Sequence, residues 1–441
     1  MERPNGIENN YASPRWSGEL LDCSLPMSFD QHSRCSYDCL YCFSYFQKSI
    51  SQFSKAAQTN TALAVPYTQR PPSSVNVQNI IDMFTGKRKT VFASLISRKN
   101  PFQWGGLADP FDNFEKKYGT GLQILEVLHK MKFPICFSTK GTWIVDDDRY
   151  ARLFHKNDFW NVKVSIINMN AEQAKLMERG VPSPQERLEF IKRMVKIQGP
   201  GGGGVTLRLR PFIIGYTNVD NGHVKLIELA GKAGATAVST EFMCVESRCA
   251  PDVKERYDLM DKATGFDLLD FYKKNTVVPT GYLRLNWQIK EPFVNDMERA
   301  AKKAGMRFYV SDAHHKDRSC NGSCCGLPEN WKYHRGQFTE ALCIAKKKGW
   351  VGWNDIEKNI FPEYKVEKIV QGCGINIGRN TVGARAKFKM LSIYDYIRYV
   401  WNSPQQSRSP YKYFYGLLTP EKKDANGNLI YKYNPYSKGI K

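Results

Sequence analysis

Strand-like and helix-like segments alternate between about residues 27 and 243, and this alternation constrains the fold more than any other feature of the sequence. Short runs rich in β-branched and apolar residues predict strands, whereas apolar residues at helical spacing predict helices. Six such alternations are typical of a parallel sheet rolled into a barrel or part of one. We therefore predict an α/β fold, a partial (βα)6 TIM-like barrel. The predicted strands are "PMSFD", "KTVFASLI", "PICFSTK", "NVKVSIIN", "VTLRLRPFII" and "ATAVSTEF".

The helix before the fifth predicted strand carries a clear start signal. Ser183 suits its N-cap, Pro184 its first position, and Glu186 completes a capping box. The glycine run "QGPGGGG" at 198–204 follows this helix and precedes a strand. A phosphate-binding loop has the opposite order, because it follows a strand and opens a helix. We therefore interpret the glycine run as a turn.

The alternation loosens beyond about residue 245. A predicted strand "YLRLNWQI", a helix "FVNDMERAAKKAG" and a strand "MRFYVSD" lead into the cysteine-rich "HHKDRSCNGSCCGLP". This pattern favours an α+β extension after the barrel. We predict three parts: an N-terminal segment at 1–26, the barrel at 27–245, and a C-terminal extension at 246–441.

Positive charge is the main compositional signal. The 441 residues include 64 Lys and Arg against 43 Asp and Glu, a formal net charge of +21. Such a balance suits a polyanionic partner such as DNA or RNA, while a basic surface kept for solubility is the alternative. The C-terminal stretch "RSPYKYFYGLLTPEKKDANGNLIYKYNPYSKGIK" interleaves aromatic residues with lysines, which suits either base stacking beside phosphates or a tail packed on the barrel.

The sequence begins without a basic and then apolar signal pattern, and it contains no run of about 18 apolar residues. We therefore expect a cytoplasmic protein with no membrane partner. Thiols stay reduced in that compartment, so closely spaced cysteines there more often bind metal or do redox work than form disulfides.

Three cysteines, Cys35, Cys39 and Cys42, lie within eight residues in "SRCSYDCLYCFSY", directly after the first predicted strand. Thiolates at this spacing can bind three corners of a four-iron cluster and leave the fourth iron open to a reactant. A zinc site would need a fourth Cys or His nearby, and the nearest histidine, His32, lies three residues before Cys35. Free thiols are the third interpretation. We predict an iron-sulfur cluster.

A second cysteine group comprises Cys320, Cys324 and Cys325. Glycine and serine between these thiols allow a tight loop, and either the histidines 314 and 315 or the cysteines 244 and 249 could complete a ligand set. An auxiliary iron-sulfur cluster, a zinc site and hydrogen-donating or free thiols all remain open interpretations.

The cysteine triplet on the first βα loop resembles that of radical S-adenosylmethionine (radical SAM) enzymes. Within that superfamily the chain is similar to the spore photoproduct lyase-like group, which includes DNA repair photolyases. The resemblance covers about residues 25 to 245 and rests on "CSYDCLYCFSY", "GGLADPFDNFE", "FSTKGTWIVDD", "VKVSIIN" and "LMERGVPSPQERLEFIKRM". It implies a 4Fe-4S cluster that binds S-adenosylmethionine (SAM) and, after reduction, yields methionine and a 5′-deoxyadenosyl radical. It also implies an electron donor such as flavodoxin or ferredoxin.

The resemblance further implies site residues at matching positions. Lys140 and Ser165 would contact SAM from the ends of the third and fourth strands, and Gly105, Gly106 and Asp109 of "GGLAD" would approach its methionyl ammonium. Their chemistry fits, because an ammonium can meet a carboxylate, a hydroxyl can meet ribose or carboxylate oxygens, and glycine permits close approach.

Three further residues follow from the same segments. Tyr41, before the last cysteine of the triplet, is a predicted cofactor-binding and catalytic residue. We interpret Glu178 and Arg187 as an ion pair that braces the loop before the capped helix.

Two positions depart from the resemblance. Spore photoproduct lyase returns a hydrogen through a cysteine in the "GGLAD" region and a tyrosine after the third cluster cysteine, where this chain has Gly106 and Phe43. Neither side chain offers a weak S–H or O–H bond, so Tyr41 is the phenol that remains for returning a hydrogen.

From the cysteine triplet, the resemblance and the positive charge, we predict a radical SAM enzyme, lyase-like or modifying, that acts on nucleic acid. The alternatives are a radical SAM enzyme acting on a peptide, an RNA or a small metabolite, and a non-catalytic iron-sulfur or zinc protein that binds nucleic acid.

Overall fold

The computed structural model describes residues 7–17, 21–49, 70–247, 249, 251–276, 282–333, 337–366, 391–406, 408–435 and 437. These residues fall into two compact units. Unit 1 comprises Met1–Ser13, Phe29–Ile81 and Gln103–Phe308, and unit 2 comprises Pro14–Ser28, Asp82–Phe102 and Tyr309–Lys441. The domain boundaries that we place after residues 26 and 245 stay a prediction.

The strands are β1 Arg15–Trp16, β2 Met27–Phe29, β3 Asp38–Cys39, β4 Phe102–Trp104, β5 Ile135–Thr139, β6 Trp160–Ser165, β7 Glu178–Arg179, β8 Val205–Phe212, β9 Ala237–Phe242, β10 Val245–Glu246, β11 Tyr282–Leu283, β12 Arg307–Val310, β13 Trp350–Val351, β14 Leu418–Lys423 and β15 Leu429–Tyr433.

The helices are α1 Phe43–Ser49, α2 Val77–Phe84, α3 Ala93–Ser97, α4 Asn113–Tyr118, α5 Leu122–Lys130, α6 Asp148–Phe154, α7 Ala171–Met177, α8 Pro184–Gln198, α9 Gly222–Lys232, α10 Pro251–Thr264, α11 Leu268–Asn275, α12 Trp287–Lys303, α13 Gln337–Lys348, α14 Trp353–Glu357, α15 Ile393–Trp401 and α16 Pro410–Tyr413. Within the described ranges, none of them has the length and apolar character needed to cross a membrane.

The main sheet confirms the predicted partial barrel. Strands β2, β4, β5, β6, β8 and β9 follow one another across the sheet in the order of the chain. The β5/β6, β6/β8 and β8/β9 pairs are all parallel. Helices lie between consecutive strands in the sequence, as the connection of parallel neighbours requires. The carboxyl ends of these strands therefore meet at one edge of the sheet, where loops can combine residues from distant parts of the chain.

Side chains of the parallel strands alternate between an apolar face and a polar face. Phe137, Val162, Val164, Leu207 and Val238 are fully buried and share the apolar face. The alternate positions carry polar side chains, which is the arrangement expected when helices cover one face and the barrel interior holds a polar ligand.

The capping box of α8 is confirmed. The Ser183 hydroxyl accepts a hydrogen bond from the Glu186 backbone N–H, and the Glu186 carboxylate accepts one from the Ser183 N–H. Pro184 occupies the first turn, where its missing N–H leaves no hydrogen bond unmade. The glycine run then connects α8 to β8, as the sequence predicts.

One predicted strand is wrong, and a second is wrong in part. The segment "KTVFASLI" contains the short helix α3 and no strand, because the buried Leu95 and Ile96 pack from adjacent helical positions. The barrel's second strand is instead β4, whose three residues are too few for a two-residue period to be recognised. In "YLRLNWQI" only Tyr282 and Leu283 are strand, because α12 begins at Trp287.

The C-terminal part of unit 2 has the predicted α+β character. Strands β13, β15 and β14 form an antiparallel sheet in that order. Its core includes the fully buried Trp353, Trp401 and Tyr431, and the Tyr431 hydroxyl donates to the Trp401 carbonyl at 2.5 Å. The described part of the aromatic and lysine-rich stretch thus contains a β-hairpin with a face packed inside unit 2, and both of its interpretations stay predictions.

Candidate active site

The cysteine triplet forms a short loop at the carboxyl edge of the sheet in unit 1. Strand β3 pairs antiparallel with β7, so that Cys39 lies opposite Glu178. The Cys42 N–H donates to the Cys39 carbonyl at 3.1 Å, which closes a tight turn. Cys39 is buried, whereas Cys35 and Cys42 are half-buried. One loop therefore presents all three thiols.

Residues distant in sequence anchor this loop on both sides of Cys39. The Asp112 carboxylate caps α4 and accepts a hydrogen bond from the Ser36 N–H at 2.5 Å. On the other side, the Arg256 guanidinium donates to the Cys39 carbonyl at 2.9 Å and pairs with Asp38. Arg256 also lies 3.6 Å from the centre of the Tyr45 ring. The loop is thus held by α4 and by α10, and no local sequence pattern signals either contact.

Burial dominates the electrostatics of the thiols. It raises the pKa of Cys39 to about 12, against the lowering effect of the Lys140 ammonium. Burial and then Asp112 raise the pKa of Cys35. A bound cation would reverse this balance, because metal ligation deprotonates a coordinating thiol. Among the described residues, no group of three His, Cys, Asp or Glu side chains is already arranged as a metal site.

A buried ion pair confirms the interpretation of Glu178 and Arg187. Their charged atoms lie 2.5 Å apart, and both side chains are almost completely buried. The Tyr41 hydroxyl donates to the other Glu178 oxygen, and Arg187 donates to the Ser165 carbonyl at 2.6 Å. The pair therefore ties the cysteine loop to the end of β6.

Lys140 directly follows β5 and extends towards the same network. Its ammonium lies 5.6 Å from the centre of the Tyr41 ring. Burial lowers the pKa of Lys140, but Cys39, Glu178 and Asp109 raise it by more, so that the net shift is upward. Lys140 is therefore a cation at neutral pH, beside the cysteine loop.

The "GGLAD" turn is fixed by two carboxylates. Asp109 accepts hydrogen bonds from the Thr139 hydroxyl and the Lys140 N–H, both at 2.6 Å. Asp30, which directly follows β2, accepts from the N–H groups of Leu107 and Ala108. The Asp109 carboxylate thus positions Lys140, and direct cofactor contact by Asp109 stays a prediction.

Gly105 requires its small size in this turn. Its φ of +91° lies in the left-handed region, and a Cβ atom there would approach the Ser138 carbonyl oxygen to 2.7 Å. Gly106 is the next residue of the same turn and is half-buried. The two glycines therefore bring backbone to the end of β5, and their approach to the methionyl ammonium of SAM stays a prediction.

Tyr216 is a candidate site residue that the sequence did not reveal. It follows β8, is only 2% exposed, and its hydroxyl has no hydrogen-bond partner among the described residues. Burial, and then Glu178, raise its pKa, and Cys39 contributes as well. A buried hydroxyl without a partner is costly, so each case needs an explanation such as a ligand. Its position just beyond the end of a barrel strand was the only available signal.

The predicted residues of unit 1 thus form one connected group. Asp109 holds Lys140, which lies over Tyr41, and the Glu178–Arg187 pair links Tyr41 to Ser165. The residues fit a negatively charged cluster with a polar ligand: Lys140 interacts with Cys39 of the cysteine loop, and the Tyr216 hydroxyl is a donor without a partner among the described residues.

The second cysteine group belongs to unit 2. The sulfur atoms of Cys324 and Cys325 lie 3.8 Å apart, and Cys320 opens a short 3-10 turn. The rings of His314 and His315 lie 5.1 Å apart in the same unit, whereas Cys244 and Cys249 belong to unit 1. The described residues contain no arranged metal site here either, so the auxiliary cluster, the zinc site and the free thiols stay predictions.

Comparisons with known proteins find similar solved structures. No protein-family model matches the sequence, and no curated protein matches it. Among solved structures, a spore photoproduct lyase variant is 15% identical with a TM-score of 0.47, and the match covers 69% of this chain and 81% of that one. A variant with bound AdoMet and dinucleoside spore photoproduct is also 15% identical, with a TM-score of 0.45 and coverage of 65% and 76%.

A third similar structure is Streptococcus suis SuiB bound to the precursor peptide SuiA. It is 9% identical with a TM-score of 0.40, and the match covers 67% of this chain and 51% of that one. At these identities and TM-scores, the activity of this chain has to be inferred from its own residues. These solved structures include the spore photoproduct lyase to whose group the sequence is similar.

Proposed function

We propose that the chain is a radical SAM enzyme that acts on a nucleic acid. Cys35, Cys39 and Cys42 would hold a 4Fe-4S cluster, and Lys140, Ser165 and the "GGLAD" turn would bind SAM. With flavodoxin or ferredoxin as electron donor, the bound group would supply the reductive cleavage of SAM to methionine and a 5′-deoxyadenosyl radical.

One observation carries this proposal. Three thiols of a single loop lie at the carboxyl edge of the parallel sheet, with the half-buried Lys140 close to Cys39, and the Tyr216 hydroxyl is buried without a partner among the described residues. A purely structural metal site has no use for these two donors, which disfavours the non-catalytic alternative. The net charge of +21 supports a nucleic-acid substrate over a peptide or a small metabolite.

Iron content after anaerobic reconstitution tests the cluster assignment. We expect about four irons per chain at the triplet, since three-cysteine loops of this kind hold a four-iron cluster. Replacing Cys35, Cys39 and Cys42 together by alanine should remove those irons. The matched triple variant of Cys320, Cys324 and Cys325 should retain them. Equal iron content in the wild type and the first variant would refute the assignment.

Lys140→Ala should weaken SAM binding by roughly 1.5 to 3 kcal/mol, the range for a hydrogen bond assisted by charge. Iron content should not change, because the alanine variant keeps the backbone N–H that Asp109 binds. Equilibrium dialysis with labelled SAM measures the effect, and the exposed Lys130→Ala serves as the matched control. An affinity equal to that of the control would place Lys140 outside the cofactor site.

Tyr216→Phe should leave the free energy of unfolding unchanged or raise it, because the lost hydroxyl has no protein partner. The same change should weaken SAM binding by about 0.5 to 1.5 kcal/mol if that hydroxyl donates to the ligand. Tyr41→Phe is the matched control, and it should destabilise the fold because Glu178 loses a donor. Destabilisation by Tyr216→Phe, with SAM affinity intact, would contradict the assignment.

A further inference from the structure

The polar face of the main sheet forms a continuous layer across four strands. The strand registers place Ser138 beside Lys163, Ser165 beside Arg208, and Arg208 beside Ser239. Glu241 follows on the same face of β9, two residues after Ser239. These side chains point away from the apolar face and therefore into the barrel interior.

Lys163 is the most unusual member of this layer. It is only 1% exposed, and its ammonium donates to the Gln103 side-chain oxygen at 2.5 Å. Gln103 in turn donates to the Ser138 hydroxyl at 3.1 Å. Within the part of the chain that the structure describes, no carboxylate pairs with Lys163. An ammonium buried without an anion is strongly unfavourable, so a counter-charge is expected from outside the chain.

Ser239 is a second, independent sign of a ligand. It is 1% exposed, and its hydroxyl has no hydrogen-bond partner among the described residues. Arg208 lies directly beside it in the sheet and is half-buried. Farther along β8 and β9, the Arg210 and Glu241 side chains pair and are 30% and 29% exposed. The layer therefore runs from a buried cation to a part of the face that solvent reaches.

We infer that this interior face binds an oxyanion of the substrate, and that this oxyanion is a phosphodiester. The Lys163 ammonium offers the positive charge that a phosphate attracts, and the Ser239 hydroxyl offers a donor farther along the same face. Lys163 lies two residues before the end of β6, deeper than Lys140, which leaves Lys140 for the carboxylate of SAM. The inference rests on the proposed function, because it takes the substrate to be a nucleic acid.

The test compares two dinucleotides that differ only in charge. The full-length reconstituted protein is titrated, without reductant, with thymidylyl-thymidine and with its neutral methylphosphonate analogue. The wild type should bind the phosphodiester about tenfold more tightly, as expected for one bond assisted by charge. Lys163→Met should bind both compounds equally. The exposed Lys192→Met, which removes the same charge from α8, should keep the wild-type preference.

Stability measurements separate this role from a purely structural one. Lys163→Met should have an unchanged or higher unfolding midpoint, because it removes a buried charge that no carboxylate balances. Ser239→Ala is a second variant that removes a hydroxyl without a partner, and it should lower the phosphodiester preference severalfold while leaving the fold intact. A large fall in the Lys163→Met midpoint would instead assign the ammonium to the fold and overturn the inference.

Three other results would also overturn it: equal wild-type affinity for both dinucleotides, a preference kept by Lys163→Met, or a loss of SAM affinity in that variant. The last result would identify the anion as the SAM carboxylate. A preference for a peptide carboxylate over its amide, without one for the phosphodiester, would favour a peptide substrate. Cleavage of SAM measured without dinucleotide tests the proposed function separately, so that the two failures are distinguishable.

Discussion

Replacing Arg187 by methionine should lower the free energy of unfolding by about 3 to 5 kcal/mol, the range for breaking a buried ion pair on one side. Arg187 is fully buried and holds both Glu178 and the Ser165 carbonyl. Burial raises the pKa of Glu178, whereas Arg187 and then Lys140 lower it, and the net shift is downward. Without Arg187, the Glu178 carboxylate would remain buried with a weaker set of partners.

The double variant Arg187→Met, Glu178→Gln is the control for this prediction. It leaves neither charge buried, so most of the lost stability should return, even though Tyr41 then donates to an amide oxygen. Urea unfolding monitored by tryptophan fluorescence measures all three free energies. A loss below about 1 kcal/mol in the single variant would show that the pair does not hold the loop.

Spore photoproduct repair should be absent from the wild type. The sequence resemblance implies that Gly106 and Phe43 occupy the positions where the lyase has its thiol and phenol, and Phe43 is 50% exposed at the start of α1. Thymine release from the dinucleotide spore photoproduct measures this directly. The double variant Cys324→Ala, Cys325→Ala is assayed beside the wild type, and formation of 5′-deoxyadenosine should continue in both.

Two outcomes would contradict this prediction in different ways. Thymine release by the wild type alone, with iron content equal in both proteins, would assign hydrogen return to the second cysteine group. Efficient release by both proteins would show that Tyr41 suffices, or that the residues equivalent to the relay lie elsewhere in this chain.

The central elements of the fold could be predicted because their local patterns are long and consistent. Strands β6, β8 and β9 alternate apolar and polar side chains over six to eight residues, and α8 begins with a complete capping box. The three-residue β4 escaped prediction because so short a strand has no readable period. The strand propensity of "KTVFASLI" also gave a wrong prediction at α3, because the tertiary packing of Leu95 and Ile96 decides the conformation there.

The site could be predicted only where a motif or a resemblance marks its residues. The cysteine spacing and the "GGLAD" turn identified the loop and its surroundings. Arg256 contacts Cys39 from 217 residues away, and Tyr216 follows a strand without a motif of its own. Such contacts depend on how the chain folds back on itself, so a single sequence carries no local trace of them. The same is true of Lys163, whose missing anion is visible only once its burial is known.

Formation of 5′-deoxyadenosine from SAM tests the central claim most directly. Anaerobically reconstituted protein with dithionite and SAM, without any nucleic acid, should release 5′-deoxyadenosine and methionine. The triple variant Cys35→Ala, Cys39→Ala, Cys42→Ala should release none above background, while the triple variant of Cys320, Cys324 and Cys325 should keep the activity. Activity retained by the first variant, or lacking in a wild type loaded with four irons, would contradict the assignment of the cysteine triplet as a radical SAM site.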